Sequence, residues 1–480
     1  MLQRDMPQGE PTLRTRTADE IMGQYLCKGQ QETSGSPALP PAMEGIGFFH
    51  DKGYNIGFDP NRCIELLQGI FLVLMLADGT LGIYNYEDGI WESLSSSLFG
   101  VLLMNLMNQA LPNSWRAPYE KLVYKGLFNA VERAEPMLQQ EHLIPVGNGV
   151  YDLKQKRLLP HHPNYLFRSK SPIVYDPAAT CPLFLKTVQE ICCGDEELIN
   201  LLQEIWGYCL LPTCKAEKAF FWLGVGANGK SLLSDLLREI IGSKNTSQIQ
   251  LSSFSERFGL EAMIGKQLNI AAENEMDAAL NTEAIKAIVS GDVLNVTRKY
   301  HSDLQVRQTT KLIFLLNSLP DSFDQTHGFY RKIIIVPFER VFQPEEMDRE
   351  RKRKLLGEQS GILNWALKGA ERLVQQGYRF TTSNAAERAT QSYQREQNPV
   401  AAFYKERLVY EKGQRTYRDN VLTSYVQWLA EEELSGQGTD SPQKFWKLLK
   451  DAVKSCGRPE LSIGKRNGKR FLRDYRIGKS

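Results

Sequence analysis

Gly224-Val225-Gly226-Ala227-Asn228-Gly229-Lys230-Ser231 has the spacing GxxxxGK[ST] of a phosphate-binding loop. An apolar run of strand length, AFFWL, precedes it and the helical pattern SLLSDLLREI follows, which is the context the motif needs. Glycines at this spacing let the backbone curl so that its N–H groups face a β-phosphate at a positive helix end. Lys230 can then reach the β and γ oxygens, and the Ser231 hydroxyl can ligate magnesium. Gly224, Gly226, Ala227, Asn228, Gly229 and Leu232 complete the candidate nucleotide-binding set. A second, acidic element is expected at the carboxyl end of a later strand, and the run KQLNIAA ends at Glu273-Asn274-Glu275. Alternation along a strand puts Glu273 and Glu275 on one side, where one carboxylate can hold the metal and the other can orient or deprotonate water. Asn317, at the end of TKLIFLLN, is suited to hold that water or to sense a γ-phosphate; an ordinary loop asparagine fits the spacing equally. Arg331 and Lys332 stand just before the run IIIVPF, where a cation can reach a phosphate across a subunit boundary or simply face solvent.

These residues need a scaffold. AFFWLG, KQLNIAAEN, TKLIFLLN and RKIIIVPF are near-continuous apolar runs of buried-strand length separated by helical patterns, so an α/β core with a mainly parallel sheet is expected. At 480 residues the chain exceeds one ordinary core. Residues 1–45 read as a polar, flexible leader. Residues 46–200 read as an α+β block with hairpins in LGIYNYEDGIWESL, turning at Asp88-Gly89, and in VGNGVYDLKQKRLLP. Residues 201–345 hold the nucleotide motifs, and residues 346–402 form a charged helical linker region. Residues 403–480 end in two helices and a hairpin turning at Asn467-Gly468, a pattern like a winged helix with KRNGKR as its wing. Lys465, Arg466, Lys469 and Arg470 there are candidate phosphate contacts, modestly supported by Lys444, Lys447 and Lys450.

The formal charge of +2 says nothing about nucleic acid, so only local clusters bear on it. Eight cysteines without CxxC spacing suggest neither a zinc site nor a disulfide framework, and reduced thiols fit best. The amino-terminal residues have no apolar signal-like run and no stretch is long enough to span a bilayer, so no membrane partner and a cytoplasmic location are expected.

Taken in order, GVGANGKS, NIAAENE, IKAIVSGDVLNVTRKYHSDLQ, LIFLLNSLPD and GFYRKIIIVPFERVF resemble the motif series of superfamily 3 helicases. The branch is the one found as the helicase half of poxvirus, phage and plasmid primase-helicases. Upstream, GIYNYEDGIW, IPVGNGVYDLKQKRLLP and YDPAATCPLF resemble that branch's helicase-associated domain, so the resemblance covers roughly residues 70–345. It implies an AAA+-like core using ATP and magnesium, with Lys230 and Ser231 as Walker A and Glu273, with Glu275 beside it, as Walker B. It further implies Asn317 as sensor and Arg331 as arginine finger. Arg298, Lys299 and His301 in VTRKYHSDLQ resemble the hairpin that tracks single-stranded DNA inside the ring. The implied activity is ATP-dependent unwinding of forked DNA by a homo-oligomeric ring, by family expectation a hexamer moving 3′ to 5′, in replication of a mobile or viral genome. Fused members carry a primase domain before the helicase; here only the polar leader precedes the associated block, so no primase activity is expected and a separate primase or polymerase is a candidate partner. Lys332 stands where many relatives have a second arginine, which leaves open which cation acts in trans. Two other classes fit the P-loop alone: an ATP-dependent origin-binding or loading factor, and an ATPase or kinase unrelated to DNA.

Overall fold

The computed structural model describes residues 18–26, 43–50, 56–76, 78–133, 141–272, 281–299, 303–320, 327–346, 348–434, 441–455 and 461–478. The chain forms two compact units, Met1–Lys170 and Ser171–Ser480.

In the first unit β1 (Phe48–His50) pairs antiparallel with β2 (Ile56–Phe58). β3 (Val73–Met75), β4 (Leu81–Asn85) and β5 (Ile90–Ser93) form a meander, and β6 (Leu143–Val146), β7 (Gly149–Asp152) and β8 (Arg157–Leu159) form another. Both hairpins expected from the sequence are present: Asn85 pairs with Ile90 across a turn that ends at Gly89, whose φ is 67°, and Val146 pairs with Gly149. Helices Pro60–Ile70, Ser96–Ala110 and Ala117–Ala130 bury Leu67, Leu103, Met107 and Val123 in one apolar core. Their starts are locally encoded: Asp59 and Ser95 cap the first two by accepting from Asn61 N and Leu98 N.

The second unit is built on five strands that are all parallel. In chain order they are β9 (Ala219–Leu223), β10 (Thr246–Ser247), β11 (Leu268–Ala272), then, beyond the separate antiparallel pair β12 (Val293–Val296) and β13 (Leu304–Arg307), β14 (Lys311–Leu316) and β15 (Ile333–Pro337). Their order across the sheet is β10-β11-β14-β9-β15. The four long strands are those expected from the apolar runs. Phe220, Phe221, Trp222, Leu312, Ile313 and Phe314 are fully buried, as strands covered on both faces require. β10 is too short to carry a pattern. The buried Asn269 of β11 fixes it by accepting from Ser247 Oγ and Ile249 N, both at 2.8 Å, and donating to Ile249 O.

The expected boundary at 200/201 moves to 170/171. Helices Pro182–Ile191 and Glu196–Leu210 belong to the second unit because helix Gln359–Gln375 lies directly against them. A Cβ on Gly207 would stand 2.1 Å from Ala370 N, and one on Gly369 2.0 Å from Gln203 O, so glycine sets this close approach. Phe184, Trp206 and Trp365 meet with centroids 5.0–5.7 Å apart. Below them the fully buried Glu204 accepts from Arg372 Nε, Thr381 N and Thr381 Oγ1, each at 2.6 Å. Residues 346–402 are therefore a packed wall of this unit rather than the linker expected from their charge.

Helices Asn384–Gln397 and Pro399–Arg407 lead to β16 (Leu408–Tyr417), helices Arg418–Glu431 and Pro442–Ser455, and the hairpin β17 (Ile463–Arg466) and β18 (Lys469–Ile477). The three strands form an antiparallel sheet in the order β16-β18-β17, and Phe403, Tyr425, Trp428, Phe445 and Leu472 fill the core beneath it. Asn467 and Gly468 both have positive φ, 49° and 76°, as a two-residue Asn-Gly hairpin requires. Among the described residues no helix is long and apolar enough to cross a membrane.

Candidate nucleotide-binding site

The loop after β9 is held open from both sides. Gly224 N donates to Leu316 O at 3.0 Å, Phe342 N donates to Ala227 O at 2.7 Å, and Asn228 Nδ2 donates to Phe338 O at 3.4 Å. Gly224 admits no side chain, since a Cβ there would lie 2.2 Å from Asn228 Nδ2 and 2.6 Å from Phe338 O. Gly226, Ala227 and Gly229 have φ of 110°, 49° and 86°, the left-handed region that glycine reaches at least cost. Gly229 is the N-cap of helix Lys230–Ile241 and offers no capping side chain; Lys230 N donates to Asn228 Oδ1 at 3.5 Å, and the Ser231 and Leu232 N–H groups that follow have no side-chain acceptor among the described residues.

Lys230 is 5% exposed, and its ammonium donates to Gly224 O. It has no carboxylate partner among the described residues, and burial pushes its pKa below the usual lysine range. A buried cation with only a neutral acceptor, beside uncapped amides at a helix N-terminus, fits a polyphosphate.

A cavity of about 470 Å³ opens on this loop. Gly226 through Leu232 form one wall, and Ala272 and Asn317 enter from the carboxyl ends of β11 and β14. The sheet thus brings Lys230, Ser231 and Asn317 to one cavity, while Gly224 anchors the lysine. Glu273 and Glu275 lie outside the described residues; β11 delivers Ala272, the residue immediately before Glu273, to the cavity. No group of three or more His, Cys, Asp and Glu that could hold a metal is found among the described residues. Ser231, which lines the cavity at the start of the helix, could hold magnesium together with the phosphates; Glu346 and Asp348 also line this cavity.

The remaining wall was not anticipated. Thr187 and Ile191 come from helix Pro182–Ile191, and Phe342, Arg349, Arg351 and Lys352 come from the segment after the sheet. Arg351 is paired with Glu190 at 2.9 Å and Lys352 with Asp235 at 2.7 Å, whereas Arg349 has no carboxylate partner among the described residues. In sequence this stretch, DRERKRK, has the look of a solvated charged helix face, and only the fold turns three of its cations towards the cavity.

Arg331 does not line the cavity. In the register of β9 and β15, Ala219 faces Ile333 and Leu223 faces Pro337, so Arg331 sits at the amino end of the sheet and the loop at its carboxyl end. Five strand residues, about 16 Å, separate those ends. Arg331 is exposed, whereas Lys332 is 7% exposed and donates to Glu217 at 2.5 Å and Ser290 Oγ at 2.6 Å. Lys218 Nζ donates to the carbonyl of Arg331.

Arg298 and Lys299 lie in the connection between β12 and β13, beyond the pair Val296 and Leu304. Arg298 is half-buried, Lys299 is exposed, and Lys299 N donates to Glu261 Oε2 at 3.2 Å. His301 lies outside the described residues. Lys465, Arg466, Lys469 and Arg470 are all exposed around the turn at Asn467-Gly468.

Two family models match this chain. "D5 N terminal like" matches residues 82–193, and a family of unknown function, DUF5906, matches residues 222–332. A protein of Acanthamoeba polyphaga mimivirus named as a helicase, L207/L206, is 26% identical over 162 residues, covering 32% of this chain and 16% of its own length. A protein of Invertebrate iridescent virus 6 named as a helicase, 184R, is 24% identical over 232 residues, covering 44% of this chain and 23% of its own. A protein of African swine fever virus named as a primase, C962R, is 24% identical over 213 residues, covering 40% and 21%. The matched part thus spans between a sixth and a quarter of these relatives. The likenesses are to parts of viral proteins named as helicases and primases and to a D5-type N-terminal family model. In fold, the chain is similar to the C-terminal region of NrS-1, with a TM-score of 0.50 at 13% identity over 85% of this chain and 97% of that one. A second apo structure of that region gives the same score over 86% and 98%.

Proposed function

We propose that this chain is an ATP-dependent DNA helicase of the superfamily 3 type, acting in replication of a mobile or viral genome as a ring of identical subunits. The observation that carries the reading is a division of labour across one sheet. Lys230, Ser231 and Asn317 meet at a cavity on its carboxyl end, and an exposed arginine stands at its amino end, too far to serve its own site. Head-to-tail copies put the second end of one subunit against the first end of the next, and only such a heterologous interface, closed into a ring, uses both. Viral relatives named as helicases and primases support the same reading.

In the proposed cycle the uncapped amides and Lys230 bind the β and γ phosphates of ATP, and Asn317 orients the water that attacks the γ-phosphorus. Bound magnesium neutralises phosphate charge, and Ser231, with Glu273 next along the chain from Ala272, would hold it. Arg331 of the adjacent copy stabilises charge as the bond to the leaving ADP breaks. Lys299, with Arg298 and His301, carries the force to one DNA strand. Unwinding of 3′- and 5′-tailed duplexes, with Lys230→Ala as control, tests this: strand separation from the 3′ tail is expected. ATP hydrolysis that ignores DNA would favour a kinase or signalling ATPase instead, and DNA binding without unwinding would favour a loading factor.

A further inference from the structure

The carboxyl-terminal sheet is charged in a way its own stability does not explain. Its three strands carry only two acids, Glu411 and Asp474, and both are turned to internal use. The register of β16 slips between Tyr410 and Arg415; within that irregularity Glu411 takes Arg476 Nε and Gln414 Nε2, and Asp474 Oδ1 accepts from Gly413 N at 2.7 Å. Cations elsewhere in the sheet face one another directly: Arg415 opposite Arg473, Lys465 opposite Arg470, and Arg466 opposite Lys469. All six are exposed, and none is paired with a carboxylate among the described residues. Like charges directly opposed weaken an antiparallel pair, so three such pairs point to an external polyanion.

The arrangement also indicates the shape of that polyanion. Strand alternation places Arg415, Arg473, Arg466 and Lys469 on one face of the sheet and Lys465 and Arg470 on the other. On the first face Phe471 lies across Gly464, where a Cβ would be 2.4 Å from its ring, and the Arg415 guanidinium rests 5.5 Å from the ring centroid. An aromatic ring therefore supports this cation where a carboxylate would otherwise neutralise it. At its tip the hairpin is a two-stranded ribbon with cations on both faces. Such a ribbon fits the major groove of B-DNA, about 12 Å wide, and meets phosphates on either side.

We propose that this sheet is a second nucleic-acid site, separate from the β12–β13 hairpin, which grips the backbone of double-stranded DNA without reading its sequence. Arg415 and Arg473 extend the grip from the hairpin tip across the sheet. The proposal rests on the reading that the chain works on DNA, and its test separates the two. Fluorescence anisotropy of the full chain is measured on a blunt duplex and on a single strand of the same length, across a salt series.

Arg415→Glu with Arg473→Glu is expected to weaken duplex binding at least about tenfold, and the neutral pair Arg415→Gln with Arg473→Gln is expected to lower the log–log salt slope by about 2, one unit for each phosphate that no longer meets a cation. Single-strand affinity and basal ATP hydrolysis are expected to stay unchanged in the glutamine variant, and its melting temperature is expected not to fall, since one opposed like-charge pair is removed. Unchanged duplex affinity and slope would overturn the proposal, as would an equal loss on single strands. A wild-type chain that binds single strands but not duplex would sink this site alone. Binding to neither would sink the helicase reading with it.

Discussion

The two ends of the parallel sheet hold cations of the same charge in opposite circumstances. At the carboxyl end Lys230 is buried beneath a cavity, with a neutral carbonyl as its protein partner. At the amino end Arg331 is exposed, while its neighbour Lys332 is buried and committed to Glu217 and Ser290. A concave site desolvates its cation and can hold a small ligand; a convex end leaves its cation able to reach a second molecule. Burial, rather than residue type, ties Lys332 to Glu217 and Ser290 and leaves Arg331 exposed.

The comparison breaks first at Arg331. Arg331→Ala should lower ATP turnover by about a thousandfold or more while nucleotide affinity, read with a fluorescent analogue, stays near wild type. Normal turnover would remove the arginine from the mechanism. Mixing it with Lys230→Ala should restore part of the activity, because a mixed ring contains interfaces with one intact lysine and one intact arginine; no rescue at any ratio would argue against a shared site. Lys230→Ala alone should reduce turnover by at least about a hundredfold and weaken triphosphate binding as well, which distinguishes a binding cation from a trans one.

A smaller effect sharpens the contrast between adjacent cations. Lys332→Ala removes a buried donor from Ser290 and from the half-exposed Glu217 and should cost about 0.5–1.5 kcal/mol in denaturant unfolding, an effect Arg331→Ala should not share. Equal stability of the two variants would mean that the buried contacts do not decide their roles. The smallest expected effect is in pH. Because burial lowers the pKa of Lys230, its charge is lost at a lower pH than that of a free lysine. Triphosphate affinity should therefore begin to fall on the alkaline side before the ordinary lysine range, as titration calorimetry over a pH series can check.

Much of this molecule was legible one segment at a time. The apolar runs placed four of the five parallel strands, and Asp88-Gly89 and Asn467-Gly468 marked turns that the backbone adopts. The glycines and lysine of the P-loop announced an anion site because their conformations depend on local chain geometry. β10 escaped, since two residues hold no period and its place depends on the Asn269 side chain of another strand. β16 escaped because its exposed, polar sequence shows no apolar alternation and its partner β18 lies some sixty residues away in the chain.

The sequence by itself determined local features: the four long apolar strands, where the backbone must take positive φ at the Asp-Gly and Asn-Gly turns, and which side chains can meet a phosphate. Only the tertiary structure decided which cations are free. It brought Thr187, Phe342 and Arg349 to the cavity, tied Lys332 to Glu217, and set Arg415 opposite Arg473. The reason is physical: strand and turn formation depend on neighbours in sequence, whereas desolvation and ion pairing depend on neighbours in space, which chain order does not specify.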